Sequence, residues 1–476
     1  MLAMKKPQRL KSNVWLLTNA GGKFMFRKVL IANRGEIAVR VIQACRDLGV
    51  ISVAVYSQAD KNALHAQIAD EAVCIGPAPA KDSYLNMENI ISAAIATGCQ
   101  AIHPGFGFLS ENAEFANMVE QNGLAFIGPK AETIRKMGDK SEAKRTAIAA
   151  NVPVALGTDG AVADFDEAKR EAERIGYPIM CKAAAGGGGK GIRVAFTADE
   201  LKNAYDAASS EAQANFGDSR VYLERYVHNP RHIEVQILGD GQGNVVHLFE
   251  RECSIQRRHQ KLIEEAPSFF ADDDFRQRIC TAAANLARAV NYRGAGTVEF
   301  LADEQKNFYF CEMNTRIQVE HPVTEQVTGV DLVCEQLKIA SGEKLSFKQE
   351  DIKLRGHAIE CRINAEDPTR NFAPCPGTIK SMHLAGGAGV RIDTAAYQGY
   401  TIPPYYDSMI GKMIVYGADR NQAIARMKRA LAETLFEGIQ TTTDYQMNIL
   451  SSEAFATGNF HTNSIANGDF DKKDDE

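Results

Sequence analysis

Uniformly apolar runs and helical amphipathic stretches alternate along the first part of the chain. Lys28-Val-Leu-Ile-Ala-Asn33 has an unbroken apolar centre and reads as a strand buried on both faces. Ile37, Ala38, Val41, Ile42, Cys45 and Leu48 then recur at helical spacing, and Gly49 closes the helix. The same signals predict strands at 51–56, 72–75, 101–102 and 124–127, and a helix through 87–96. Ser110 is the expected cap of a further helix between the last two strands. Strands alternating with helices predict a doubly wound parallel sheet, which binds ligands at the carboxyl ends of its strands. The loop His103-Pro-Gly-Phe-Gly-Phe-Leu-Ser-Glu-Asn112 lies at one such end.

The pattern then changes. Gly128-Pro129 closes the first unit, and Lys136-Met-Gly-Asp-Lys140 opens a helix expected to run to Ala150. These breaks give a first unit at 25–139, a connector at 140–154, a small unit at 155–226 and a long α+β segment at 227–468. Residues 1–24 lack periodicity and read as a disordered extension, with Met25 a natural start; 469–476 form a charged tail. No solenoid-type repeat is present.

Composition narrows the classes. The formal net charge of -6 over 476 residues carries no signature of nucleic-acid binding. No apolar run approaches the roughly 18 residues that span a membrane. Val14-Trp-Leu-Leu17 is too short for a signal-peptide core. The ten cysteines are scattered singly, which suits a reducing compartment and suggests neither zinc nor a disulfide framework. A cytoplasmic location is expected.

The candidate chemistry centres on Tyr309-Phe-Cys-Glu-Met-Asn-Thr-Arg-Ile-Gln-Val-Glu-His321. It begins as a strand, and Glu312, Asn314, Arg316, Gln318 and Glu320 fall on one face if the segment stays extended. Thr297-Val-Glu-Phe-Leu301 reads as its hairpin partner. Pairing Asp303 with Phe308 sets Glu299 opposite Glu312, and facing carboxylates need a cation or proton between them. The oxygen ligands Glu299, Glu312 and Asn314 suit a hard ion such as Mg2+; two strand-end acids in solvent are the alternative.

Ala185-Gly-Gly-Gly-Gly-Lys-Gly191 imitates a P-loop, but it lacks Gly-Lys-Ser/Thr, and the strand-like Ile192-Arg-Val-Ala-Phe196 follows where a helix is required. It reads as a hairpin, either a mobile flap whose backbone N–H groups meet phosphate or a flexible turn. Lys182, inside the apolar strand before it, needs an anion. Val221-Tyr-Leu-Glu-Arg-Tyr-Val227 is a strand whose polar-aromatic end could hold a purine. Arg257, Arg258, His259 and Lys261 together make a positive field suited to a small anion or to solvent.

Taken with Ile31-Ala-Asn-Arg-Gly-Glu-Ile37 and Tyr406-Asp-Ser-Met-Ile-Gly-Lys412, these motifs resemble biotin carboxylase, an ATP-grasp enzyme, from about Met25 to Phe470. The resemblance implies a Rossmann-like N-terminal domain, an ATP-grasp fold with a mobile glycine-rich lid, and a C-terminal α+β domain. It implies a ligase that uses MgATP (or Mn2+) and bicarbonate to carboxylate biotin held on a carrier protein. By motif match, Lys140 and Lys182 sit on ATP phosphates, with Gly188 and Gly189 in the flap. Glu224, Arg225, Tyr226 and Val227 form the adenine hinge, His232 and His259 line the nucleotide site, and Ile192, Leu301 and Ile439 are apolar walls. Glu299, Glu312 and Asn314 match the metal ligands, with both acids also at the ATP site. Lys261, Arg316, Gln318 and Val319 match the bicarbonate site, Glu320 the base, and Arg362 the arginine that faces bicarbonate and the biotin ureido oxygen.

The chain departs from the family's usual pattern at Phe106, where Tyr is common, and at Ala185 and Lys190 of the flap. No biotin-carrier or acyl-transfer domain is recognisable, so a separate carrier protein and carboxyltransferase are expected, as is a homodimer. The expected complete enzyme is acetyl-CoA carboxylase, which serves fatty acid biosynthesis. Its rivals are a pyruvate or other acyl-CoA carboxylase, another ATP-grasp ligase such as a carbamoyl-phosphate synthase half, and a non-catalytic nucleotide-binding regulator.

Overall fold

The computed structural model describes residues 25–183, 192–216 and 218–471. The expectations for 1–24, the flap residues Ala185, Gly188, Gly189 and Lys190, and the last residues of the tail fall outside these.

The first unit is a five-stranded parallel sheet in the order Glu71–Gly76, Ile51–Ser57, Lys28–Ile31, Ala101–His103, Ala125–Phe126. Val29, Leu30 and Ile31 are fully buried, as an apolar run between two helical layers requires. The strand order reverses between Lys28–Ile31 and Ala101–His103, so the loops after these strands flank a switch point. Asn33 bridges them, its Nδ2 donating to the Pro104 and Phe106 carbonyls at 2.7 Å each.

Two local expectations change. Asn112, not Ser110, caps helix Ala113–Gln121, its Oδ1 accepting from Phe115 N at 2.8 Å, because Ser110 still lies within the preceding turn. The helix predicted from Lys136 to Ala150 is two helices, Ala131–Gly138 and Lys140–Ala149. Asp139 separates them and caps the second through Glu142 N. Lys140 therefore stands at a helix start.

In the small unit, Ile179–Ala183 lies between Ile192–Ala195 and Val221–Arg225, both antiparallel to it. Lys182 pairs with Ile192 across the hairpin, so the glycine-rich stretch joins two strands, and the P-loop reading fails for the reason the sequence gives.

The centre is an eight-stranded antiparallel sheet in the order Phe308–Asn314, Arg293–Ala302, Arg231–Asp240, Val245–Arg257, Gln260–Ala266, His357–Asn364, Met409–Gly417, Val390–Thr394. It runs unbroken from the strands up to Ala266 into the C-terminal ones through the pairing of Gln260–Ala266 with His357–Asn364. Ile233, Val235, Ile237, Val298, Phe300 and Met313 pack on one face with Phe275 and Ile279 of helix Asp273–Ala289. The alternate residues of the same strands therefore look the other way. The C-terminal core continues to Phe470, which is buried, so the tail is anchored up to that point. Among the described residues no helix is long and apolar enough to cross a membrane. The ten cysteines are free, and most are buried as small apolar groups.

Candidate active site

The residues alternating with that core form the site. His232, Glu234 and Gln236 project from Arg231–Asp240, and Thr297 and Glu299 from Arg293–Ala302. Register sets Glu234 opposite Glu299, and Glu299 opposite Glu312. Three carboxylates therefore lie in one row across three strands, an arrangement that like-charge repulsion forbids without cations. The pairing nearer the turn differs by one residue from that expected, since Ala302 faces Phe308. Cys311 is an extra residue, a β-bulge, and it restores the Glu299–Glu312 pair.

Lys261 supplies the first cation. Its Nζ lies 2.5 Å from Glu234, 2.8 Å from Glu299 and 2.7 Å from Glu320. Burial opposes its charge, but these three acids outweigh burial and hold the ammonium well above its ordinary value. Arg251, fully buried, donates five hydrogen bonds: to Glu234 at 2.6 Å, Gln236 at 2.7 Å, Thr324 at 2.9 Å, Thr297 at 3.1 Å and Gln318 at 2.8 Å. Gln318 in turn donates to Glu299 at 2.7 Å, so the loop after the strand is tied to the row of acids. His232 Nε2 lies 3.1 Å from Glu299; burial opposes its protonation, yet Glu299 keeps its pKa above the ordinary value.

The end of the row is different. Burial first, and the facing Glu299 second, push Glu312 up, with Lys140 and His232 acting against the shift. Among the described residues Glu312 makes no ion pair, and Glu299, Glu312 and Asn314 are all oxygen donors, so these residues fit a divalent cation. The tighter group His232, Glu234 and Glu299, whose ligand atoms lie within 4.8 Å of one another, is already served by Lys261.

The strand ends at Asn314, so the expected single extended face from Glu312 to Glu320 does not form. The chain turns instead. Arg316 points to the first unit, with its Nε 2.9 Å from Glu111 and its Nη2 2.7 Å from Asn314 Oδ1. Glu320 is buried at the start of helix His321–Thr328, between Lys261 and Arg362 Nη2 at 2.9 Å. Burial opposes its ionisation, but Lys261, Arg362 and Arg251 hold the carboxyl well below its usual range. Arg362 also binds Glu264 at 2.5 Å.

Other predicted residues stand apart. Lys182 hydrogen-bonds Glu224, which also lies 3.6 Å from Lys144, so the anion that the half-buried lysine requires is a protein acid in this state. Arg225 donates to the Ile175 carbonyl, Tyr226 N donates to Pro178 O, and the Tyr226 ring meets Phe196 edge-on. Val227 follows directly. Ile192, Leu301 and Ile439 lie on the small unit, the central sheet and the C-terminal core respectively. His259 is exposed at a hairpin tip. The cationic run containing it is split: Arg257 turns to Glu366 and the Phe372 ring, Arg258 to Asn371, and of these three cations only Lys261 reaches the row of acids. A hairpin turn throws successive side chains in different directions, which proximity in sequence conceals.

Sequence reasoning passed over Glu234, Arg251, Glu264 and Glu111. The alternation His232, Glu234, Gln236 between buried aliphatics was a readable signal for the first; the others converge from distant segments.

Residues 25–134 match the biotin carboxylase N-terminal domain, 139–348 the carbamoyl-phosphate synthase L chain ATP-binding domain, and 360–467 the biotin carboxylase C-terminal domain. The chain is 57% identical over 439 residues to biotin carboxylase 1 of Bacillus subtilis, covering 92% of this chain and 98% of that one. It is 55% identical over 442 residues to a pyruvate carboxylase subunit of Methanothermobacter thermautotrophicus, covering 93% and 90%. Among solved structures, the biotin carboxylase domain dimer of Hydrogenobacter thermophilus 2-oxoglutarate carboxylase, in complex with MgADP, ADP and bicarbonate, superposes with a TM-score of 0.87. It shares 49% identity and covers 94% of this chain and all of that one.

Proposed function

The chain belongs to the biotin carboxylase family of ATP-dependent ligases, and from that premise we propose how its own residues carry the reaction. ATP, a divalent cation and bicarbonate are the reactants and cofactor, and biotin on a separate carrier is the acceptor. The observation that carries the reading is Glu320, held ionised between Lys261 and Arg362 beside the row of acids.

Bicarbonate enters among Lys261, Arg316, Gln318, the Val319 backbone and Arg362. As a second anion it shares the cations that depress Glu320, which raises the basicity of that carboxylate when a proton must be taken. Glu320 removes the bicarbonate proton. The bicarbonate oxygen bonds to the γ-phosphorus, the β–γ bridging P–O bond breaks, and ADP leaves. Carboxyphosphate splits to CO2 and phosphate, and the phosphate takes the ureido N–H proton. Arg362 stabilises the charge on the ureido oxygen while the nitrogen bonds to CO2. Lys140 and Lys182 hold the phosphates, Lys182 exchanging Glu224 for ATP. Residues 224–227, His232, His259, Ile192, Leu301 and Ile439 line the nucleotide. Glu299, Glu312 and Asn314 would hold Mg2+ or Mn2+, which neutralises phosphate charge.

The acceptor of the complete enzyme is chosen by a carboxyltransferase outside this chain, which we take to be that of acetyl-CoA carboxylase. The 55% identity to a pyruvate carboxylase subunit makes pyruvate the second reading. A dimer is expected from the likeness to a dimeric domain, and sedimentation showing only monomer at micromolar concentration counts against it. We place the protein in the cytoplasm. The function is tested by ATP hydrolysis with and without bicarbonate and free biotin. Turnover should need bicarbonate and rise with biotin; biotin-independent turnover with ammonia overturns the reading.

A further inference from the structure

Two motifs, Ile31 to Ile37 and Tyr406 to Lys412, have no task in this reaction, yet the fold packs them together behind the site. The Arg34 guanidinium lies 4.2 Å over the Tyr406 ring and binds Asp60 at 2.6 Å. At the far end of the second motif Lys412 is fully buried. Its register neighbours are Arg362 on one side and Asp393 on the other. Its Nζ donates to the Val319 carbonyl at 2.6 Å and lies 3.2 Å from Glu36 Oε1, in the first turn of helix Gly35–Asp47.

One ammonium, carried by the C-terminal strand, thus touches both the N-terminal unit and the loop that carries the base. A desolvated lysine is a costly way to join two units, because an apolar contact of the same volume is often the more stable choice. The ammonium does two things that an apolar contact cannot: it faces the buried Glu36 carboxylate, and it holds a carbonyl oxygen. The Val319 carbonyl belongs to the planar peptide whose nitrogen is that of Glu320, so holding that oxygen fixes the plane from which the Glu320 side chain departs. The loop has no strand partner at this point, since the strand ends at Asn314 and the helix starts at His321.

We propose that Lys412 is the positioning residue for Glu320, acting through its bond to the Val319 carbonyl, with the contact to Glu36 secondary. This rests on the reading of Glu320 as the base. Lys412 meets neither substrate nor cation. It holds the catalytic carboxylate where Lys261 and Arg362 can both reach it.

The test compares wild type, Lys412→Met and Glu36→Gln in the full-length protein. Three readings are taken: bicarbonate-dependent turnover with biotin, affinity for a non-hydrolysable ATP analogue, and thermal melting. A misplacement of about 1 Å costs about 10²-fold in rate. Lys412→Met should therefore lose kcat on that scale and raise the KM for bicarbonate, with analogue affinity and a folded melting transition retained. Glu36→Gln, which leaves the lysine–carbonyl bond, should stay near wild type. Wild-type turnover in Lys412→Met overturns the proposal, as does a Glu36→Gln variant equally slow, which would make the strut between units the relevant feature. An unfolded Lys412→Met also overturns it by assigning the lysine to folding. Absence of bicarbonate-dependent turnover in the wild type contradicts the reaction instead.

Discussion

Replacing Glu320 by Gln separates chemistry from binding at this site. The carboxylate has two ion-pair partners, Lys261 at 2.7 Å and Arg362 at 2.9 Å, and neither is left alone by the substitution. Lys261 keeps Glu234 and Glu299, and Arg362 keeps Glu264. A charge-assisted hydrogen bond is worth roughly 1.5–3 kcal/mol, and relief of the buried charge offsets part of that, so the melting point should change little. The rate should change much: loss of a general base costs about 10²–10⁴-fold. Arg316→Ala removes a donor from the anion site and should cost about 10²–10³-fold. Arg316 is bonded to Glu111 and Asn314, so the two residues share no ion pair that a double mutant could relieve. The assay is bicarbonate-dependent ATP hydrolysis, with ATP-analogue binding by calorimetry alongside. Both single variants should be slow with near-normal nucleotide affinity, and the double variant should show no rescue. Near-normal hydrolysis in Glu320→Gln, or recovery in the double mutant, refutes the reasoning.

Glu312→Gln keeps the size of the acid at the end of the row and removes its charge. It should weaken turnover far more at limiting Mg2+ than at saturation, with melting nearly unchanged, which a metal titration of kcat checks. Glu265 gives a pH prediction. Burial opposes its ionisation, but His357 and Arg420 outweigh this and lower its pKa to about 2. A folded-state value below the unfolded one contributes stability above the unfolded carboxyl range, lost as pH falls toward about 2. A displacement of that size is worth about 3 kcal/mol. Acid unfolding of Glu265→Gln, followed by circular dichroism, should therefore be shallower between about pH 4 and 2 than in the wild type; equal slopes would contradict it.

The fold was readable wherever one period dominated. Buried apolar runs gave the parallel sheet, and the hairpin of Glu299 and Glu312 followed from alternation and a polar turn. That register came out right at the acids although the turn pairs one residue differently, because the Cys311 bulge cancels the difference. The resemblance supplied most site residues, but the row of three acids needed a third strand, which two-strand reasoning does not contain. Arg251 gathers side chains from Glu234 to Thr324, and Lys412 reaches back to Glu36; contacts so distant in sequence leave no local pattern. The extended face through Glu320 failed for the opposite reason, since a local period was carried past the residue where the strand stops.

The central claim is that bicarbonate, deprotonated at Glu320, attacks the γ-phosphorus of ATP. It is tested most directly with bicarbonate labelled in its oxygens. The account predicts one labelled oxygen in each molecule of phosphate released during biotin carboxylation. Phosphate carrying no label from bicarbonate, at an undiminished rate of ATP cleavage, would contradict it.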